Sequence, residues 1–210
     1  MKIPLLIIGA GNVGGFLSYN IKQFSPEYDI LGFIDDDKRK IGNKIYGREV
    51  LGGVSNIKNF IEDGIAVVIG IANPAVKKKV YVQLKNYKLH FPSFISKTAW
   101  ISEKVTIGNG VIVYPGVSIN YETKLDDFVI VNLNCALGHN CTVSRFSTLS
   151  PGVNLAGFTY VEENVDVGIG VSTRQNVRIG RNSIIGGQSM LVKNVIADSL
   201  VVGIPGKKIN

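Results

Sequence analysis

The chain has 210 residues, 45% of them hydrophobic, and a formal charge of +7, which suits one or two folded domains with a sizeable core. Its longest apolar runs, such as Leu5 to Ile8 and Ala66 to Ile71, are far below the roughly 18 residues that span a bilayer, so no membrane span is expected. The basic residues are dispersed apart from Lys77-Lys78-Lys79 and Lys207-Lys208, with no base-stacking motif beside them; small anionic ligands are expected, and nucleic acid is not.

The N-terminus carries no signal-peptide pattern, which predicts a cytoplasmic protein. Leu5 to Ile8 leads into Gly9-Ala10-Gly11-Asn12-Val13-Gly14, followed by Val13, Phe16, Leu17, Ile21 and Phe24 at helical spacing: strand, glycine turn, helix. A second strand, Ile30 to Ile34, ends in Asp35-Asp36-Asp37, near the distance at which nucleotide-binding folds place a ribose-binding carboxylate. Ser55 is expected to cap a short helix through Phe60, and Ile65 to Ile71 reads as a strand. Asn73-Pro74 opens a helix over Val76, Val80 and Leu84. The alternation predicts a small parallel α/β sheet of Rossmann type over residues 1–88. That length accommodates half a dinucleotide site, so a nucleotide or nucleotide-linked ligand fits better than NAD.

From Ile95 to Leu191 every sixth residue is aliphatic, with Thr173 the one exception. Six residues advance an α-helix by about 1.7 turns, so the hexad cannot be helical. It suits a short strand plus a turn, stacked as a solenoid over residues 89–210. Three hexads make a triangular coil, and positions eighteen apart form columns about 4.8 Å per step. His139 then lies between Tyr121 and Gly157, Pro151, Ile169 and Gly187 form a second column, and Phe128 stacks on Phe146. The His139 and Ile169 columns belong to different faces, so one ligand touching both bridges two subunits. Cys135 and Cys141 occupy small core positions of the repeat, and His90 is expected to be structural.

With these motifs the chain resembles the hexapeptide-repeat acyltransferases, and more closely the sugar O-/N-acetyltransferases of the sialic acid O-acetyltransferase type, which include the bacillosamine-pathway and perosamine N-acetyltransferases. The resemblance is carried by the glycine turn, Gly32-Phe33-Ile34-Asp35-Asp36, Leu137-Gly138-His139-Asn140-Cys141 and Val202-Gly203-Ile204-Pro205-Gly206-Lys207. It implies a left-handed parallel β-helix, a homotrimer with active sites between subunits, and acetyl-CoA in the groove between neighbouring helices, with no metal. The implied cofactor positions are Thr148, Gly157, Ile169 and Gly187. Those for a nucleotide-linked sugar are Asn12, Val13, Asp35, Asp36 and Ala72, with Asn132 close to the catalytic histidine.

The resemblance makes His139 the general base, with Asn140 following it where related N-acetyltransferases carry an acidic residue. Thr148 and Val13 likewise stand where such relatives have histidines. The expected function is acetyl transfer from acetyl-CoA to an amino or hydroxyl group of a sugar. The alternative is a catalytically weak or silent protein of the same fold that binds a nucleotide-sugar.

Overall fold

A computed structural model of the chain describes residues 2–60 and 65–209. It divides into two compact units, residues 1–72 with 76–92, and residues 93–210 with 73–75. His90 pairs with Ala66, and its carbonyl accepts the Val67 N–H at 2.9 Å, which keeps the chain through Pro92 in the first unit.

The first unit is a five-stranded sheet with helices. Its elements are β1 (Ile3–Ile8), α1 (Asn12–Phe24), β2 (Tyr28–Ile34), β3 (Lys44–Ile45), β4 (Arg48–Gly52), β5 (Ala66–Ile69) and α2 (Pro74–Leu84). The strand order is β3-β4-β2-β1-β5. All pairs are parallel except the β3–β4 hairpin, a small antiparallel addition that sequence reading does not anticipate. Helix α1 buries Val13, Leu17, Ile21 and Phe24, a stripe at helical spacing. Close approach of α1 to the β1 end needs Gly14, because a Cβ there would overlap the Gly9 carbonyl oxygen.

One local expectation is corrected. Residues Val54–Asn59 form a 3₁₀ turn whose N-cap is Gly53, and Ser55 makes no cap bond. The orphan N–H of Val54 instead donates to Asp36 Oδ1 at 2.8 Å, so a carboxylate from the end of β2 replaces the hydroxyl cap.

The second unit is a left-handed parallel β-helix of two-residue strands on three faces. One face stacks Trp100–Ile101, Ser118–Ile119, Ala136–Leu137, Asn154–Leu155, Ser172–Thr173 and Met190–Leu191. A second stacks Thr106–Ile107 through Arg178–Ile179, and a third Phe94–Ile95 through Leu200–Val202, closed by the antiparallel Lys207–Lys208. Partners lie eighteen residues apart through most of the stack, as in Ala136 with Asn154 and Leu137 with Leu155.

The inward residues from Val113 to Leu191 are buried, whereas Ile95, Ile101 and Ile107 are only half-buried because the first coil has no coil before it. Polar residues at the small core positions are satisfied by turn carbonyls. Thr123 Oγ1 donates to Gly138 O at 2.9 Å and Ser147 Oγ to Glu162 O at 2.7 Å. The buried thiols of Cys135 and Cys141 follow the same pattern, donating to Ser150 O and Ala156 O. Burial pushes both thiols up to about 11, so they are neutral packing groups and not nucleophiles.

Thr173, the break in the aliphatic run, is buried against Thr159, with 2.8 Å between their hydroxyl oxygens. Its Oγ1 also accepts the Ala156 N–H at 3.0 Å, the place a ladder carbonyl would occupy.

Candidate active site

The candidate residues fall into two groups, one in each unit. In the first unit, Asn12, Val13, Asp35, Asp36 and Ala72 all line one cavity of about 400 Å³ between the glycine turn, the β2 end and α2. The start of α1 has no side-chain cap and no acidic residue in its first turn, so its amide groups and positive dipole end meet the cavity uncompensated.

Asp35 does something other than present a carboxylate to a ribose. Its Oδ2 accepts the Ala10 N–H at 2.8 Å and the Lys40 ammonium at 2.9 Å, while Oδ1 accepts the Asp37 N–H at 2.9 Å. Both oxygens are occupied in tying the glycine turn to the β2 end, because a half-buried carboxylate takes the nearest backbone donors. Burial alone would raise this carboxyl, but those hydrogen bonds and the Lys40 charge outweigh it and hold it below its usual range. Asp36, which lines the same cavity, accepts the Val54 N–H with Oδ1.

Lys40, not singled out from the sequence, is the cation of this cavity. A turn in which its N–H donates to Asp37 O folds it back, and its Nζ also donates to Ala10 O at 3.3 Å.

In the second unit His139 sits at the corner after Ala136–Leu137, half-buried. The columns predicted from spacing are observed here. The Tyr121 ring stacks on the imidazole at 5.3 Å and 11°, and the Phe158 ring stands perpendicular to it at 4.9 Å and 90°. Phe128 and Phe146 stack at 5.4 Å on another corner. Gly157 leaves room beside the ring, since a Cβ there would come within 2.7 Å of His139 Nε2.

The other nitrogen, Nδ1, lies 2.9 Å from Asn140 Oδ1. Asn140 Nδ2 in turn donates to Glu122 Oε2 at 2.7 Å, and Glu122 Oε1 lies 3.9 Å from Lys104 Nζ. Glu122 was missed, although the eighteen-residue step that puts Tyr121 under His139 also puts Glu122 under Asn140. Both Glu122 and Asn140 have φ 56°, so successive left-handed corners aim their side chains along one line.

The remaining candidates do not join His139 within one chain. Ile169 lies on the corner after Asp166–Val167, 58% exposed, with its carbonyl 3.2 Å from where a Cβ of Gly187 would sit. Asn132 follows Ile130–Val131 at that same corner, where its Oδ1 accepts the Leu133 N–H, whereas His139 follows Ala136–Leu137. Thr148, on the third face, is 2% exposed, which withdraws its side chain from a groove ligand. Among the described residues no cluster of His, Cys, Asp and Glu could hold a metal ion, and no helix is long and apolar enough to cross a membrane.

Comparison with known proteins bears on both units. Residues 4–84 match the PglD N-terminal domain family. A GDP-perosamine N-acetyltransferase of Escherichia coli O157:H7 is 27% identical over 176 residues, 81% of this chain and 78% of that protein. Two solved structures share the fold across both units. The acetyltransferase domain of PglB from Neisseria gonorrhoeae FA1090, in complex with acetyl coenzyme A, aligns over 100% of each chain with a TM-score of 0.89 and 24% identity. PerB from Caulobacter crescentus, in complex with CoA and GDP-perosamine, aligns over 99% of this chain and 97% of its own with a TM-score of 0.91 and 24% identity.

Fold and relatives together agree with the resemblance read from the sequence: the chain is similar to sugar acetyltransferases of the hexapeptide-repeat superfamily. One relative to which it is similar over most of its length is a GDP-perosamine N-acetyltransferase.

Proposed function

We propose that the protein transfers an acetyl group from acetyl-CoA to an amino group of a nucleotide-linked sugar, with His139 as general base. The observation that carries this reading is the state of the imidazole. Nδ1 is occupied by Asn140, while Gly157 leaves the space beside Nε2 open.

An acceptor amine attacks the thioester carbonyl carbon and its proton passes to Nε2. The tetrahedral intermediate collapses with cleavage of the C–S bond, and the imidazolium returns the proton to the departing thiolate. No acyl-enzyme forms, in keeping with the two neutral, buried thiols. The nucleotide belongs to the cavity of the first unit, its phosphates at the start of α1 and near Lys40, with Asp36 left to accept from the ribose or base. Because the Ile169 and Gly187 corner is not the His139 corner, a cofactor that uses both is shared between chains, and a homotrimer is the assembly proposed. The synthesis of bacterial surface glycans, in the cytoplasm, is the setting in which such a reaction belongs.

The test is thiol release from acetyl-CoA with GDP-, UDP- and dTDP-linked amino sugars, and free sialic acid as a hydroxyl acceptor. His139→Ala is expected to lower turnover by about 10²–10⁴ while leaving nucleotide binding intact. Unchanged turnover in that variant overturns the mechanism. Nucleotide-sugar binding without thiol release across the panel favours the silent binding protein instead.

A further inference from the structure

We infer that Glu122 is a positioning residue for His139, acting through the Asn140 amide to select the imidazole tautomer. The inference rests on the reading of His139 as base. It concerns the line Lys104, Glu122, Asn140 and His139, in which Glu122 and Asn140 are eighteen residues apart yet bonded at 2.7 Å.

A carboxylate only accepts hydrogen bonds, so Glu122 can engage Asn140 only through the NH₂ end of the amide. That turns Oδ1, which also only accepts, toward His139 Nδ1 at 2.9 Å. Nδ1 must therefore carry the proton, and Nε2 is left with the lone pair that a base needs.

Without the carboxylate, the amide could rotate by half a turn and offer NH₂ to Nδ1. The ring would then take the opposite tautomer, with its proton on Nε2, and could not accept one from an amine. Asn140 alone thus satisfies either tautomer; Glu122 chooses between them. The orienting group is thus a side-chain carboxylate one coil away, acting through the intervening amide. The Glu122 side chain is 47% exposed, so its replacement by an isosteric amide leaves the core untouched.

Two measurements separate this role from a structural staple. The first needs no acceptor: ¹⁵N shifts of the neutral imidazole in histidine-labelled protein, with His90→Gln to assign the second ring, read which nitrogen holds the proton. Native protein is expected to show Nδ1–H, and Glu122→Gln a mixture containing Nε2–H. The second is steady-state kinetics of acetyl transfer. Glu122→Gln is expected to lose about tenfold or more in kcat, part of the range of a general base, with the KM for acetyl-CoA within about twofold.

Glu122→Gln/Asn140→Asp, which moves the carboxylate next to Nδ1, is expected to restore both the tautomer and most of kcat. A pure Nδ1–H ring in Glu122→Gln overturns the inference, as does a native kcat in that variant when His139→Ala is inactive. If His139→Ala itself retains turnover, the base assignment falls, and the ¹⁵N result alone decides the role of Glu122.

Discussion

The two units build their candidate sites in opposite ways. In the first, the acidic side chains that look ready for a ligand are largely consumed by the backbone: Asp35 holds Ala10 and Asp37, and Asp36 holds Val54. The cavity they line also receives the start of α1 and Lys40. In the second, the backbone satisfies itself by stacking coils, and side chains at the corners are free to bond one another, as Glu122, Asn140 and His139 do. A site on loop ends needs carboxylates to hold its shape, whereas a site on a solenoid inherits its shape from the repeat.

That contrast can be tested by substitution, beginning with the greatest expected effect. Leu149 is fully buried in the stack, and Leu149→Ala is expected to destabilise the β-helix by about 2–5 kcal/mol, read as a lower denaturation midpoint. An effect below about 1 kcal/mol would mean that neighbouring coils relax into the cavity and that the repeat is softer than its packing implies.

Gly14→Ala is expected to cost about 1–3 kcal/mol by pressing a methyl group into the Gly9 carbonyl, with the melting loss confined to the first unit. Calorimetry showing both units equally affected would contradict the view that each keeps its own core.

The smallest effect concerns acid. The Asp35 carboxyl is held below its unfolded value, so its contribution is complete above that value, about pH 3.9, and disappears as pH falls through the lower folded one. The difference in urea midpoint between the native protein and Asp35→Asn should therefore be greatest near neutrality and shrink below about pH 4. A difference constant with pH would show that Asp35 supports the turn by shape and not by charge.

How much was legible beforehand follows from the same contrast. The solenoid and its columns could be read because the hexad is a geometric rule: Tyr121, His139 and Gly157 had to align, and they do. The same rule puts Glu122 beneath Asn140, although no residue adjacent to His139 in sequence marks it.

In the first unit strands and helices could be read from apolar runs, yet the β3–β4 hairpin could not. Its two-residue turn is Tyr46-Gly47, with φ of 46° and 77°, in place of the Asn-Gly signal, and its strands lack an apolar alternation. The roles of Asp35, Asp36 and Lys40 depend on which backbone amides are left unpaired after folding, and no local pattern records that. Thr148 and Asn132 rest on resemblance alone, and neither the burial of the one nor the corner position of the other is recorded in a local pattern.

The eighteen-residue step, kept from Phe94 to Leu191, gives the β-helix a reading frame. Deleting or inserting a full coil would preserve every corner line, so Asn140 would still meet the residue one coil before it. A change of six residues would keep every hexad intact and bury the same kinds of side chain, yet hand each downstream residue to the next face. Such a chain could fold well and still have its corners out of phase, which makes insertions in units other than eighteen a way of separating stability from catalysis in this architecture.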